Sequence, residues 1–265
     1  MKKIFDKGLV IFKNNKLVKF FINAETWAEK IGLVCLYIGM PIVGIAVCAS
    51  HDALIDRMYG EPAAVAIGFA VACLIFGYIA DKMLEYVKPS INQAKTTIVN
   101  GAFFDVLAFF CGIVTLATAI ATIGLLFDGS FTEAIQAAAI CLLSLYFAVM
   151  LLSPEKMLNV RIQESATPAQ SLISLTAFLI KAIYRLVPVA FGAAMVVCIV
   201  SGIDLATVSY QLSGYKILSY LSTFIMSALL PLIAYFLFLA YYFVLDLCMS
   251  LFRIADAVEG KNKAK

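Results

Sequence analysis

The stretch Val106–Phe127, VLAFFCGIVTLATAIATIGLLF, contains no charged residue. As an α-helix it would be about 33 Å long, which matches the roughly 30 Å hydrocarbon core of a bilayer. Inside hydrocarbon, a helix satisfies its backbone polar groups without water. The stretch therefore predicts a transmembrane helix, and the polar residues Asp128-Gly129-Ser130 end it.

Four further apolar stretches have a length suited to crossing a membrane: Ile31–Ala49, Ala63–Ala80, Ala137–Leu152 and Ala182–Val200. The whole chain is 63% hydrophobic and 14% charged, with a mean hydropathy of +0.97. A soluble domain is about half apolar and about one quarter charged. Lipid must therefore surround most of this chain.

The last apolar stretch, Ile217–Phe252, is too long for one simple crossing, because as a helix it would measure about 54 Å. It also lacks the polar break that two antiparallel spans would need. The sequence therefore predicts a kink near Ser227–Pro231, with Ser219–Met226 in the outer interface or re-entering the membrane. The sixth span would then cover about Leu229–Leu247.

Taken together, these stretches predict an all-α fold: a polytopic membrane helix bundle with six transmembrane helices arranged as three hairpins. The hairpin arrangement rests on a weak repeat, in which Asp81-Lys82-Met83-Leu84 recurs as Glu155-Lys156-Met157-Leu158, each time directly after a span. The third hairpin would carry an enlarged outer loop.

The lysines and arginines are concentrated on one side of these spans. Residues 1–30 hold seven of them, the two inner loops five and the C-terminal tail four, whereas the outer loops hold only Arg57 and Lys216. Because positive charge stays in the cytoplasm, both termini are expected inside, in a cell inner membrane. The predicted domains are a basic amphipathic interfacial segment (1–30), the helix domain (31–252) and a short basic tail (253–265).

Four ionisable residues lie near the predicted inner ends of the spans: Asp105, Lys181, Arg185 and Asp246. One interpretation is a ring of snorkelling or salt-bridged side chains, and the other is a lipid- or substrate-contact site. Lys181 and Arg185 are four residues apart and so share a helical face that could bind a lipid phosphate. If Asp105 met either cation, the pair would join two hairpins.

Three prolines inside spans, Pro41, Pro188 and Pro231, are candidates for helix kinks. Small residues also recur at four-residue spacing, for example at Ala64 and Gly68 and at Ala108 and Gly112, which favours close helix packing.

The sequence contains few residues suited to catalysis or metal binding. The chain has one histidine, His51, and seven cysteines without a CxxC pair, which disfavours metal, haem and disulfide frameworks. It carries no recognisable hydrolase, protease or nucleotide-binding motif. The sequence therefore predicts a protein that is not an enzyme, with no cofactor, no metal and no nucleic-acid partner.

Two functions remain open. The apolar centres of the spans favour a non-catalytic structural or accessory subunit that forms a homo- or hetero-oligomer with other membrane proteins, with membrane lipids as its other partners. The alternative is a small-solute or lipid transporter, or the permease subunit of an ATP-driven exporter, in which the inner loops Glu85–Ile98 and Asn159–Gln170 would contact a motor.

Overall fold

The computed structural model describes residues 15–94, 96–98, 102–162, 168–207 and 214–263. In chain order its elements are α1 (Asn15–Val34), a π-helical segment (Cys35–Gly39), α2 (Met40–Ser50), α3 (Asp52–Tyr59), α4 (Pro62–Gln93), β1 (Thr96–Ile98), α5 (Ala102–Phe127), α6 (Phe131–Leu152), α7 (Pro154–Leu158), β2 (Val160–Ile162), α8 (Pro168–Thr207) and α9 (Gly214–Lys263). The first half of the predicted interfacial segment, residues 1–14, lies outside the described residues.

Within the described ranges, six helical runs are long and apolar enough to cross a membrane: Val18–Ser50, Pro62–Gln93, Phe103–Phe127, Phe131–Leu152, Ser171–Thr207 and Tyr215–Ser250. The prediction of an all-α, six-span bundle is confirmed, and the protein is an integral, multi-pass membrane protein. Consecutive spans pack against each other as α2 with α4, α5 with α6, and α8 with α9. These contacts agree with the three predicted hairpins.

Helix α8 lies at the centre of the bundle. It contacts α1, α2, α4, α6 and α9, and its side chains Phe178, Phe191 and Met195 are fully buried. A helix that is buried on most sides must be apolar nearly all round, and α8 fits this description over most of its length. The few polar residues that α8 carries near its middle are therefore held inside protein.

Helix α5, in contrast to α8, lies at the edge of the bundle. Its packing is concentrated on α6, and at its inner end the ring of Phe104 packs at a tilt against Phe178 of α8, with ring centroids 4.2 Å apart. Large apolar side chains cover its outer surface, including Leu116 and Ile120. This outer surface of α5 faces away from the bundle.

Ser219–Met226 does not re-enter as a separate segment, and the last span is longer than predicted. Residues 214–263 form one continuous helix, α9, with Pro231 inside it. The segment Ser219–Met226 is helical and packs inward through Phe224, which is fully buried against Phe69 and Phe76 of α4. A proline whose lost hydrogen bond is tolerated in a membrane helix does not have to end that helix.

Two other helices begin earlier than predicted. The first span was expected to start at Ile31, yet α1 is helical from Asn15, and the fifth was expected from Ala182, yet α8 begins at Pro168 and continues through Pro188. These extensions pack into the core, because α1 buries Val18 and Phe21 before Ile31 and α8 buries Ala177 and Phe178 before Ala182.

The irregularity near Pro41 has a local cause. Proline has no backbone N–H, so the helix loses the bond that residue 41 would donate to the carbonyl of Tyr37. The preceding residues Cys35–Gly39 form a π-helical turn, in which the N–H of Met40 bonds to the carbonyl of Cys35. A single wide turn of this kind takes up the disruption without ending the helix.

The inner loops form a short two-stranded parallel sheet, which the sequence did not predict. Strand β1 pairs in parallel with β2, with Thr96 opposite Val160 and Ile98 opposite Ile162. The loop after the second span is thereby joined to the loop after the fourth, and β1 also packs on α8.

Candidate functional site

A carboxylate lies inside the bundle at the end that is predicted to be cytoplasmic. Glu25 of α1 is 0% exposed, and on the same face of α1 lie the buried side chains of Val18 and Phe21, with the buried Leu36 following in the π-helical segment. Val18, Phe21 and Glu25 are spaced by three and four positions, so they form a stripe that faces the core. Glu25 therefore occupies a core position in an otherwise apolar stripe.

Glycines bring α1 and α8 close enough for this burial. A Cβ atom added to Gly192 would lie 2.3 Å from the backbone oxygen of Ala28, and one added to Gly32 would lie 2.7 Å from the ring of Phe191. Only a residue without a side chain fits at such a contact. This close crossing lies one to two turns from Glu25 along α1.

Side chains from three helices approach the two carboxylate oxygens of Glu25. Arg185 Nη2 of α8 donates to Oε2 at 2.7 Å, and the hydroxyl of Tyr146 on α6 donates to the same oxygen at 3.2 Å. Lys88 Nζ of α4 lies 3.9 Å from Oε1. Together with α1 itself, four helices meet at one carboxylate; Glu25, Arg185, Tyr146 and Lys88 are called the Glu25 cluster below.

The two cations of the Glu25 cluster differ in their exposure to water. The Arg185 side chain is only 9% exposed, whereas that of Lys88 is 42% exposed and donates to Thr26 Oγ1 at 3.4 Å. Among the described residues, Glu25 Oε1 and Arg185 Nε are buried without a hydrogen-bond partner. The strong contact is therefore the one between Glu25 and Arg185, and Lys88 lies at its edge.

The cluster lies near the inner ends of α4 and α6. Tyr146 lies less than two turns before the end of α6, and Lys88 less than two turns before the end of α4. Arg185 is about 33 Å along the axis from the outer end of α8 at Thr207, and α8 continues for about 25 Å on the inner side. The cluster thus joins the long central helix α8 to the inner ends of its neighbours.

Lys181 lies one turn before Arg185 on α8 and is 0% exposed. Its Nζ donates to the backbone oxygen of Ala94 at 2.7 Å. Ala94 is the residue that ends α4, where backbone carbonyls have no partner within the helix. Lys181 therefore caps α4 directly before strand β1.

The structure gives Lys181 and Arg185 internal partners. Arg185 pairs with Glu25, while Asp105, which was considered as a partner for either cation, lies exposed in the first turn of α5. Asp246 is exposed on α9. Of the four predicted ionisable residues, Lys181 and Arg185 are brought together, and Asp105 and Asp246 are separate from them.

Glu25 was missed because the polar residues around it, NAETWAEK at 23–30, were assigned to an interfacial segment. Its position in the stripe of Val18 and Phe21 is the signal that could have identified it. The arrangement is suited to holding helices together, because every polar contact of the carboxylate is with another helix of the same chain.

Comparison of the chain with protein-family models, curated proteins and solved structures finds no match. The part of the chain that the structure describes contains no group of three histidine, cysteine or acidic side chains placed to hold a metal ion. Function must therefore be argued from the geometry.

Proposed function

We propose that this protein is a non-catalytic accessory subunit of a complex in the cell inner membrane, and that it binds another membrane protein through the outer surface of α5. The observation that carries the proposal is the isolation of α5, whose packing is concentrated on α6. Its outer surface includes Gly112 and Gly124, and a Cβ atom added to either would meet nothing within 4 Å.

Glycines on an outward surface leave a shallow groove. In lipid, where apolar contact alone does not drive association, such grooves allow a second helix to approach closely and to gain van der Waals contact. The Glu25 cluster supports the same role, because it uses charged side chains of α1, α4 and α8 to hold the subunit's own fold together. The threonines of α5 bond within the chain, since Thr115 Oγ1 lies 2.9 Å from Ser144 Oγ of α6.

The test is to solubilise the native membrane gently and to determine the mass of the particle that contains this chain. We expect a complex larger than the monomer, and Gly112→Leu should release the monomer while leaving its fold intact, because a Cβ atom at this position meets no part of the same chain within 4 Å. Gly68→Leu on α4, another glycine with nothing within 4 Å, is the matched control and should leave the complex unchanged. A particle with the monomer mass in the wild type would rule the proposal out.

A second candidate, a transporter, is favoured by one specific observation. A cavity of about 300 Å³ opens between the outer ends of α6, α8 and α9, and the Glu25 cluster joins four helices on the inner side of it. If the cluster acts as a closed inner gate, this arrangement is one of the two states that alternating access requires.

The two candidates are separated by labelling the cavity residue Ser201→Cys with an impermeant thiol reagent, in a background without the native cysteines. If the cluster is an inner gate, Glu25→Gln should shift the protein toward an inward-open state and slow the labelling. If the cluster only holds the helices together, the labelling rate should stay the same.

A further inference from the structure

The outer cavity on which the transporter candidate rests has a distinct chemistry, and neither candidate role assigns its ligand. Its lining combines hydroxyl, amide and amine groups with an apolar wall: Gln136, Val197, Cys198, Ser201, Leu205, Tyr215, Lys216, Ser219, Tyr220 and Thr223. Its volume of about 300 Å³ is at the lower end of the range for small-ligand sites. It therefore suits a headgroup or a small solute.

The charge in the cavity has one sign. Lys216 is the only ionic residue among the described lining residues, and the acidic Asp204, although next to Leu205 in sequence, is not among them. Lysine is uncommon on the outer side of an inner-membrane protein, and this chain places only Arg57 and Lys216 in its predicted outer loops. A cation at this position favours an anionic ligand.

Two of the hydroxyls already donate hydrogen bonds within the chain. The Tyr220 hydroxyl donates to the backbone oxygen of Cys198 at 3.2 Å, and Thr223 Oγ1 donates to that of Ser219 at 3.0 Å. Within the described residues, the side chains of Ser201, Ser219 and Lys216 have no hydrogen bond or ion pair. These three groups are donors available to a ligand, and a lysine with flanking hydroxyls is a common way to bind phosphate oxygens.

The surroundings of the cavity are fixed and apolar. Leu205 and Ile217 belong to a small core with Val43, Val47 and Ile55, and the backbone oxygen of Leu205 lies 3.0 Å from His51 Nε2. Tyr215 at the mouth is exposed, as aromatic side chains at the headgroup level commonly are. A site with this arrangement is open to the boundary between membrane and water.

We propose that this cavity binds a phosphate group, with Lys216 as the charge partner and the hydroxyls of Ser201 and Ser219 as hydrogen-bond donors. The phosphate belongs either to the headgroup of an anionic lipid in the outer leaflet or to a small soluble phosphate compound. Both sources present the same oxygens to the site. The inference does not depend on whether the protein is an accessory subunit or a transporter.

The experiment uses the full-length protein in nanodiscs of phosphatidylcholine with increasing fractions of phosphatidylglycerol, with retained lipid measured by native mass spectrometry. We expect specific retention of phosphatidylglycerol, weakened about fivefold by Lys216→Gln, the factor that corresponds to one lysine near an anionic surface. Ser201→Leu should also weaken retention, because the leucine side chain fills part of the cavity while Lys216 is unchanged. Arg57→Gln is the matched control, because it removes the other outer cation without touching the cavity.

A parallel arm titrates inorganic phosphate and glycerol 3-phosphate into the protein in nanodiscs of phosphatidylcholine alone. Binding in this arm that Lys216→Gln abolishes identifies a soluble phosphate compound as the ligand, while binding in the lipid arm alone identifies a lipid headgroup. If neither arm shows binding, or if Lys216→Gln behaves like Arg57→Gln in both, the site does not exist. Lys216 is exposed, so the protein should stay folded when this residue is replaced, and the variants can be compared directly.

Discussion

Removing either member of the Glu25–Arg185 pair should be far more damaging than removing both. Loss of one partner from a buried ion pair costs about 3–5 kcal/mol, since the other charge stays buried without compensation. We therefore expect Glu25→Leu, which leaves the 9%-exposed Arg185 side chain unpaired, to lower the free energy of unfolding by an amount in this range. The double variant Glu25→Leu/Arg185→Met should recover most of the loss, because apolar side chains of similar volume fill the same space.

The two single variants should also differ from each other. Arg185→Met leaves Glu25 with the hydroxyl of Tyr146 at 3.2 Å and the amine of Lys88 at 3.9 Å, so part of its charge remains compensated. Glu25→Leu leaves Arg185 with no acidic partner in the Glu25 cluster. The expected order of stability is therefore the wild type and the double variant first, then Arg185→Met, and Glu25→Leu last.

The measurement is reversible unfolding in mixed micelles, monitored by circular dichroism, for the four proteins of a double-mutant cycle. The control is the pair of Lys82 and Glu85, which has a similar distance of 2.9 Å but lies at the surface with 43% and 55% of the side chains exposed. Exposed pairs of this kind contribute about 0–1 kcal/mol, so Glu85→Leu should have little effect. If the Glu25 and Arg185 effects simply add, with a coupling no larger than that of the control pair, the reasoning about the cluster is wrong.

Two further predictions concern helix ends and helix crossings. Lys181→Met removes the donor to the backbone oxygen of Ala94 and should lower the free energy of unfolding by about 1 kcal/mol, with faster amide hydrogen exchange in β1; unchanged exchange there would contradict the capping role. Gly192→Ala places a Cβ atom 2.3 Å from the oxygen of Ala28 and should destabilise the bundle by about 1–3 kcal/mol, whereas Gly68→Ala should cost nothing because its Cβ meets no neighbour. Equal melting temperatures for these two glycine variants would show that the helices do not cross at Gly192.

Much of the fold was predictable from the sequence because the membrane sets a length for every apolar stretch. The predicted spans Val106–Phe127 and Ala137–Leu152 end at the same residues as α5 and α6, because polar residues follow both of them. The main errors concern helices that extend beyond the predicted apolar stretches. The sequence before Ile31 mixes polar residues with the buried Val18 and Phe21, and a window of average hydropathy does not separate such a helix from a loop.

The site was only partly predictable for a related reason. Lys181 and Arg185 could be identified because charges inside an apolar run are rare. Their partners could not be identified in the same way, since the backbone oxygen of Ala94 carries no sequence signal and Glu25 lies among other polar residues. The positions of the partners depend on how α1 and α4 pack on α8. Glycines such as Gly192 set this packing, but a glycine in a sequence can have many other roles and does not by itself indicate a helix crossing.

The Glu25 cluster and the outer surface of α5 act on different parts of the bundle. The cluster joins α1, α4, α6 and α8, and α5 contributes no side chain to it. Among the residues that the structure describes, Tyr146 of α6 links the α5–α6 hairpin to the carboxylate, through a hydrogen bond of 3.2 Å. Because effects at sites without shared partners are close to additive, a change at Gly112 should alter assembly without altering the stability that Glu25 provides. A protein built in this way can hold its own helices firmly at one end while one helix remains available to a neighbour.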